Sequence, residues 1–152
     1  MSGSASELYQ SVILEHNRSP RNYRRMEGAT GTAEGVNPLC GDEVTVFVKI
    51  DDGVVCDVSF QGSGCAISRA SASLMTQAVK GRSVAEARRL FEGFHELLTS
   101  NTDGSAPRAA HAHDHGRDHL GKLTVLGGVR AFPMRVKCAT LAWHALNAAL
   151  AK

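Results

Sequence analysis

Residues 42–60 alternate in hydropathy with a period of two on either side of Asp51-Asp52-Gly53. Val44, Val46, Val48 and Ile50 fall on one face of an extended chain, with Thr45, Phe47 and Lys49 on the other. An Asp-Gly pair between two such runs signals a two-residue hairpin turn, whose central residues both need positive φ. Val54, Cys56, Val58 and Phe60 then alternate on the returning strand. The pattern predicts an antiparallel β-hairpin.

Helical periodicity flanks it. Ser4-Ala5-Ser6-Glu7 has capping-box spacing, and Leu8, Tyr9, Val12, Ile13 and His16 follow on one helical face until Pro20 and Asn22 end the run. Gly28 to Gly35, small and polar, suits an irregular edge strand. Gln61-Gly62-Ser63-Gly64 breaks the hairpin, and Ile67, Ala70, Leu74 and Ala78 recur at helical spacing, so Cys65 falls at or just before a helix N-terminus. Ser83 and Glu86 form a second capping box, opening a helix that buries Val84, Ala87, Leu90, Phe91, Phe94 and Leu98. Residues 100–119 have no periodicity and read as a solvated loop, longer than compact domains usually use. Leu123 to Val129 is a short apolar stretch. Pro133 precedes a last helix expected from about Arg135 to Leu150, with Cys138 in its first turn. Leu141, Ala145 and Ala148 are expected to face inward, with Trp143 half-buried or at an interface.

These elements predict an α+β fold, a small antiparallel sheet of about three strands packed against several helices. With 152 residues the chain suits a single domain, 1–152, carrying a His-rich insertion near 100–119. A net charge of +2 makes no case for nucleic acid or an anionic membrane as partner. No apolar stretch is long enough to span a bilayer. The N-terminal segment has no basic region or cleavage pattern, so a cytoplasmic location is expected. In such a reducing compartment Cys40, Cys56, Cys65 and Cys138 are better read as ligands, nucleophiles or core residues than as two disulfides.

A hairpin returns the chain to its start. Cys40, in Asn37-Pro38-Leu39-Cys40-Gly41-Asp42, precedes the first strand, and Cys65, in Gly62-Ser63-Gly64-Cys65, follows the second. Both therefore belong at one end of the sheet. Asp42, two residues after Cys40 in extended chain, points to the same side. If the last helix brings its N-terminus there, Cys138 completes three thiolates and a carboxylate, a set that suits tetrahedral zinc. Helix N-termini favour thiolates at Cys65 and Cys138. The four ligands sum to −4, and Arg135 and Lys137 are close enough in sequence to offset the excess. The gaps of 25 and 73 residues between the three cysteines match no local zinc-finger pattern, so small buried core thiols remain the competing reading. All three lie at element boundaries, two of them beside glycines.

Three segments carry a resemblance. Asn37-Pro38-Leu39-Cys40-Gly41-Asp42, Gly62-Ser63-Gly64-Cys65-Ala66-Ile67-Ser68 and Lys137-Cys138-Ala139-Thr140-Leu141 resemble the IscU/NifU-N family, in order, and Leu8-Tyr9, His16 and Pro20-Arg21-Asn22 fit as well. The interval between Cys65 and Cys138 is longer than in IscU-type scaffolds, and Lys137 stands where IscU proteins carry a histidine. Both features are similar to the SufU branch. That resemblance implies the IscU/NifU-N (SufE/NifU) fold and zinc held by Cys40, Asp42, Cys65 and Cys138. It implies, too, a zinc-dependent sulfurtransferase in which Cys40 accepts persulfide sulfur from a SufS-type, pyridoxal-phosphate cysteine desulfurase. Sulfur then passes to a SufBCD-type assembly complex. The alternatives are an IscU-type scaffold on which an Fe–S cluster forms between the same ligands, and a purely structural zinc module.

Two further features invite a bland interpretation. Cys56 alternates with Val54, Val58 and Phe60 and reads as a core residue. His111, His113, His115 and His119 lie in the long loop and read as a solvated tract that holds metal only adventitiously. His16 is expected to pack or cap near the first helix.

Overall fold

The structure is a computed structural model describing residues 3–39 (side chains from residue 10), 41–99, 123, 126, 127, 129 and 132–151. The expected loop at 100–119, with its histidines, lies outside the described residues, as does Cys40.

The hairpin forms as the alternation predicts. Strand β2 (Asp42–Asp51) pairs antiparallel with β3 (Val54–Ser63) through Asp52 and Gly53, at φ 54° and 77°. Only a residue without Cβ takes the second of those angles without strain. Strand β1 (Gly31–Asn37) is regular, begins and ends later than expected, and pairs antiparallel with β2 to give the order β1-β2-β3. Val44, Val46 and Val48 of β2 and Val58 and Phe60 of β3 are buried together.

One expectation on β3 is overturned. The register shifts by one between Lys49, opposite Asp57, and Ile50, opposite Val55, so Cys56 is the extra residue of a β-bulge. The bulge resets the alternation. Val55 goes inside at 0% exposure, and Cys56 is exposed instead of sitting in the core.

Among the described residues four helices cover the buried face and each other: α1 (Gly3–Arg18), α2 (Ala66–Val79), α3 (Val84–Thr99) and α4 (Pro133–Leu150). Helix α4 lies against β1 and β2, α2 against β3 and α4, α1 against α2, and α3 against α4. The Ser83–Glu86 box closes reciprocally, each backbone N–H donating to the other's side chain at 3.1 Å. Leu123, Leu126 and Val129 join the core at helical spacing. Serines of α2 pin the layers. Ser73 Oγ meets buried His16 Nδ1 at 2.6 Å, so His16 packs against α2. Ser71 Oγ donates to Ala139 O and accepts the Trp143 indole N–H at 3.2 Å. That buried acceptor lets Trp143 sit fully inside rather than at an interface. Helix α4 begins at Pro133, two residues early, and Ala148 faces outward while Ala145, Leu146 and Ala149 face the core. No described helix is long and apolar enough to cross a membrane.

Candidate metal centre

The open end of the hairpin gathers the candidate ligands. Asp42 is the first residue of β2, opposite Asn37 of β1, and β3 ends at Ser63, opposite Glu43. Two residues later Cys65 is the N-cap of α2, its sulfur accepting the Ser68 N–H at 3.4 Å. An anionic sulfur there faces the positive end of the helix dipole.

Asp42 is wholly buried, on the same side as Val44 and Val46. Its Oδ1 accepts the Cys65 N–H at 2.8 Å, and Cys65 Sγ donates to Oδ2 at 3.7 Å. The chain passes this carboxylate closely. A Cβ on Gly64 would stand 2.6 Å from Asp42 Oδ1, so the position accepts glycine alone without displacing the acid. That explains the Gly-Cys order as a packing requirement of Asp42.

Cys138 arrives from α4. It is the sixth residue of that helix, in the second turn and not the first as expected, so the dipole, which fades beyond the first turn, adds little. Burial against the sheet fixes it, at 4% exposure. Cys65 and Cys138 sulfurs and an Asp42 oxygen all lie within 4.8 Å of one another. Tetrahedral zinc with Zn–S bonds of about 2.3 Å sets ligand atoms roughly 3.8 Å apart, so a small closure completes the fit. Among the described residues no lysine, arginine or histidine forms an ion pair with Asp42. A buried carboxylate beside two thiols, with no cationic partner, is the donor set a divalent soft-to-borderline metal satisfies.

The three residues therefore meet as the sequence suggests, while Cys40 lies outside the described residues. The Gly41 N–H donates to Asn37 O at 2.9 Å. Cys65 and Cys138 open onto a groove of about 590 Å³ walled by Ile13, Leu14, Ile67 and Met134, with Arg135 alongside. Arg135 stacks its guanidinium 4.9 Å above the Phe132 ring, and Lys137 points to solvent. Sequence reasoning missed Asn37. It is buried opposite Asp42, and its Oδ1 accepts the Leu39 N–H at 3.3 Å. The available signal was the Asn-Pro dipeptide, a turn initiator.

Comparison with known proteins agrees with this geometry. The model of the NifU-like N terminal domain matches residues 8–138. The zinc-dependent sulfurtransferase SufU of Bacillus subtilis (strain 168) is 38% identical over 145 residues, 95% of this chain and 90% of that protein. The iron–sulfur cluster assembly scaffold protein IscU of Streptococcus pyogenes serotype M1 is 36% identical over 145 residues, 95% of this chain and 84% of that protein. A crystal structure of FiSufU from Fervidobacterium islandicum AW-1, described as a cluster assembly scaffold for the SUF system, superposes with a TM-score of 0.81. It is 30% identical, covering 95% of this chain and 97% of that one. The match along most of the chain, on a fold that gathers Asp42, Cys65 and Cys138, shows that the protein belongs to the NifU-like N-terminal domain family, the IscU/SufU family of iron–sulfur cluster assembly.

Proposed function

We propose that the chain is a zinc-dependent sulfur carrier, in which Cys40 accepts persulfide sulfur from a SufS-type cysteine desulfurase and passes it to a SufBCD-type assembly complex. The convergence of Asp42, Cys65 and Cys138 on one point carries this reading, with Cys40 as the fourth ligand. Bound zinc supplies a site where thiolates are held deprotonated yet can exchange, without redox chemistry or a strong geometric demand. Asp42, Cys65 and Cys138 keep their place because a strand start, a helix cap and a buried helix position hold them. The Cys40 thiolate attacks the outer sulfur of the desulfurase persulfide. A new S–S bond forms, the old one breaks, and the partner's cysteine leaves as thiolate. The pyridoxal phosphate is the partner's. Thiol chemistry of this kind suits a reducing, cytoplasmic setting.

Zinc-dependent sulfur transfer is also what the SufU relative is named for. The IscU name of the other relative supports a second reading, a scaffold carrying an Fe–S cluster on the same ligands. Lys137 favours the first: a solvent-facing ammonium precedes Cys138, and lysine is a poor iron ligand at neutral pH. Metal analysis and a persulfide-transfer assay decide. A colourless zinc protein whose Cys40→Ala variant folds but neither stimulates the desulfurase nor carries persulfide supports transfer. A brown protein supports the scaffold, and a Cys40→Ala variant that still accepts sulfur rules out the assigned role.

A further inference from the structure

Asn37 closes β1 directly opposite Asp42 and is 7% exposed. Residues directly opposite in an antiparallel pair carry their side chains on the same face, with Cβ atoms about 4.5–5.5 Å apart. The Asn37 amide and the Asp42 carboxylate therefore share the buried side of the sheet's open end. Both oxygens of Asn37 are used locally. The main-chain carbonyl takes the Gly41 N–H and Oδ1 takes the Leu39 N–H. The side-chain Nδ2 is buried with no hydrogen-bond partner among the described residues.

A buried amide donor without an acceptor destabilises the fold that contains it. The turn does not call for it, since aspartate or serine offers the same acceptor oxygen at this position. What the site will hold does call for it. Thiolates and a carboxylate around a divalent ion leave excess negative charge on the sulfurs, and N–H donors aimed at metal-bound ligands orient them and disperse that charge. We infer that Asn37 is a positioning residue of the metal centre, its Nδ2 donating a hydrogen bond to an anionic sulfur ligand of the ion held by Asp42, Cys65 and Cys138. This rests on the zinc reading above, and Asn37 touches neither ion nor substrate.

Cobalt(II) reports on it, because sulfur-to-metal charge-transfer bands respond to hydrogen bonding at the sulfur. The full chain is loaded with cobalt, its spectrum recorded, and release to a chelator timed. A native protein with no sulfur charge-transfer bands overturns the metal reading and the inference together. With native bands present, Asn37→Ala is expected to move them to lower energy and to hold the metal about 10–100-fold less tightly. Asn37→Asp keeps the acceptor for the Leu39 N–H but loses the donor, and is expected to behave like the alanine variant. Asn37→Ser, whose hydroxyl both accepts and donates, is expected to recover part of the native band position. An Asn37→Asp protein with native bands and native release limits Asn37 to the turn and overturns the inference. Circular dichroism on all three variants separates loss of the donor from loss of the fold.

Discussion

The two ends of the β2–β3 hairpin solve the same problem in opposite ways. Toward the turn end the half-buried charge of Asp57 meets its partners within the chain. Asp57 takes two bonds from Arg24 Nη2, at 2.7 and 2.8 Å, a third from the Val58 N–H, and lies 3.5 Å from Lys80. Serine and glutamate close their capping box just beyond. At the open end, among the described residues, a buried carboxylate has no cation and a buried amide donor has no acceptor. Such groups are costly unless something outside the chain completes them. The turn end is finished by folding, and the open end leaves groups that a bound ion would complete.

The largest consequence is thermal. Zinc present at a thousand times its dissociation constant stabilises the fold by about 4 kcal/mol. For a chain of this size that corresponds to a melting temperature raised by roughly 8–16 °C over the chelated protein. Calorimetry with and without chelator measures it. Cys138→Ala should abolish the difference, while Arg24→Ala at the other end should leave it intact. A melting temperature indifferent to chelator erases the distinction between the two ends.

What the sequence revealed follows the same division. The hairpin was legible because its alternation runs through Val44, Val46 and Val48, and the Asp-Gly turn closes it. The placing of two candidate thiol ligands at one end follows from that closure alone. The bulge was not legible: Val54, Val55 and Cys56 are all apolar, so no polar position marks the extra residue. Helix α4 was legible as a helix but not in its facing, since its alanines surround it on all sides and its neighbours decide which are covered. Trp143 and Ala148 were misplaced for that reason. The meeting of Cys138 with the sheet end is a product of α4 packing on β1 and β2, which no spacing encodes. Only the family resemblance supplied it beforehand. Asn37 escaped because an unpaired donor is visible only once its surroundings are known.

A second measurement sharpens the contrast from the turn end. Burial raises the Asp57 pKa, but the hydrogen bond and charge of Arg24, the Val58 N–H and Lys80 outweigh it, holding the carboxyl below its ordinary 3.8. A depressed carboxylate contributes stability that is complete above its unfolded pKa and is lost as pH falls through the folded one. Both partners are partly exposed, so the contribution is small, about 0.2–1 kcal/mol. Arg24→Ala should lose that amount at neutral pH and converge on the parent below the ordinary carboxylate range. Denaturant titrations at several pH values test this. A loss that persists once Asp57 is protonated assigns Arg24 a packing role instead.

Cys56 gives the smallest effect and the cleanest control. It is a cysteine in the same hairpin, exposed on a bulge, with only a weak 3.7 Å contact from Sγ to Val54 O. Nothing packs on it that serine could not replace, so Cys56→Ser should change stability by no more than about 0.5 kcal/mol and leave zinc content and the chelator-dependent melting shift unchanged. Alkylation separates the thiols further: Cys56 should react in the zinc-loaded protein, and buried Cys138 only after chelation. If Cys56→Ser lost zinc, or if Cys138 alkylated as readily with metal as without, convergence on one point would not be what selects the ligands. The distinction between a thiol that folding has finished with and one held in reserve would then fail at its most accessible point.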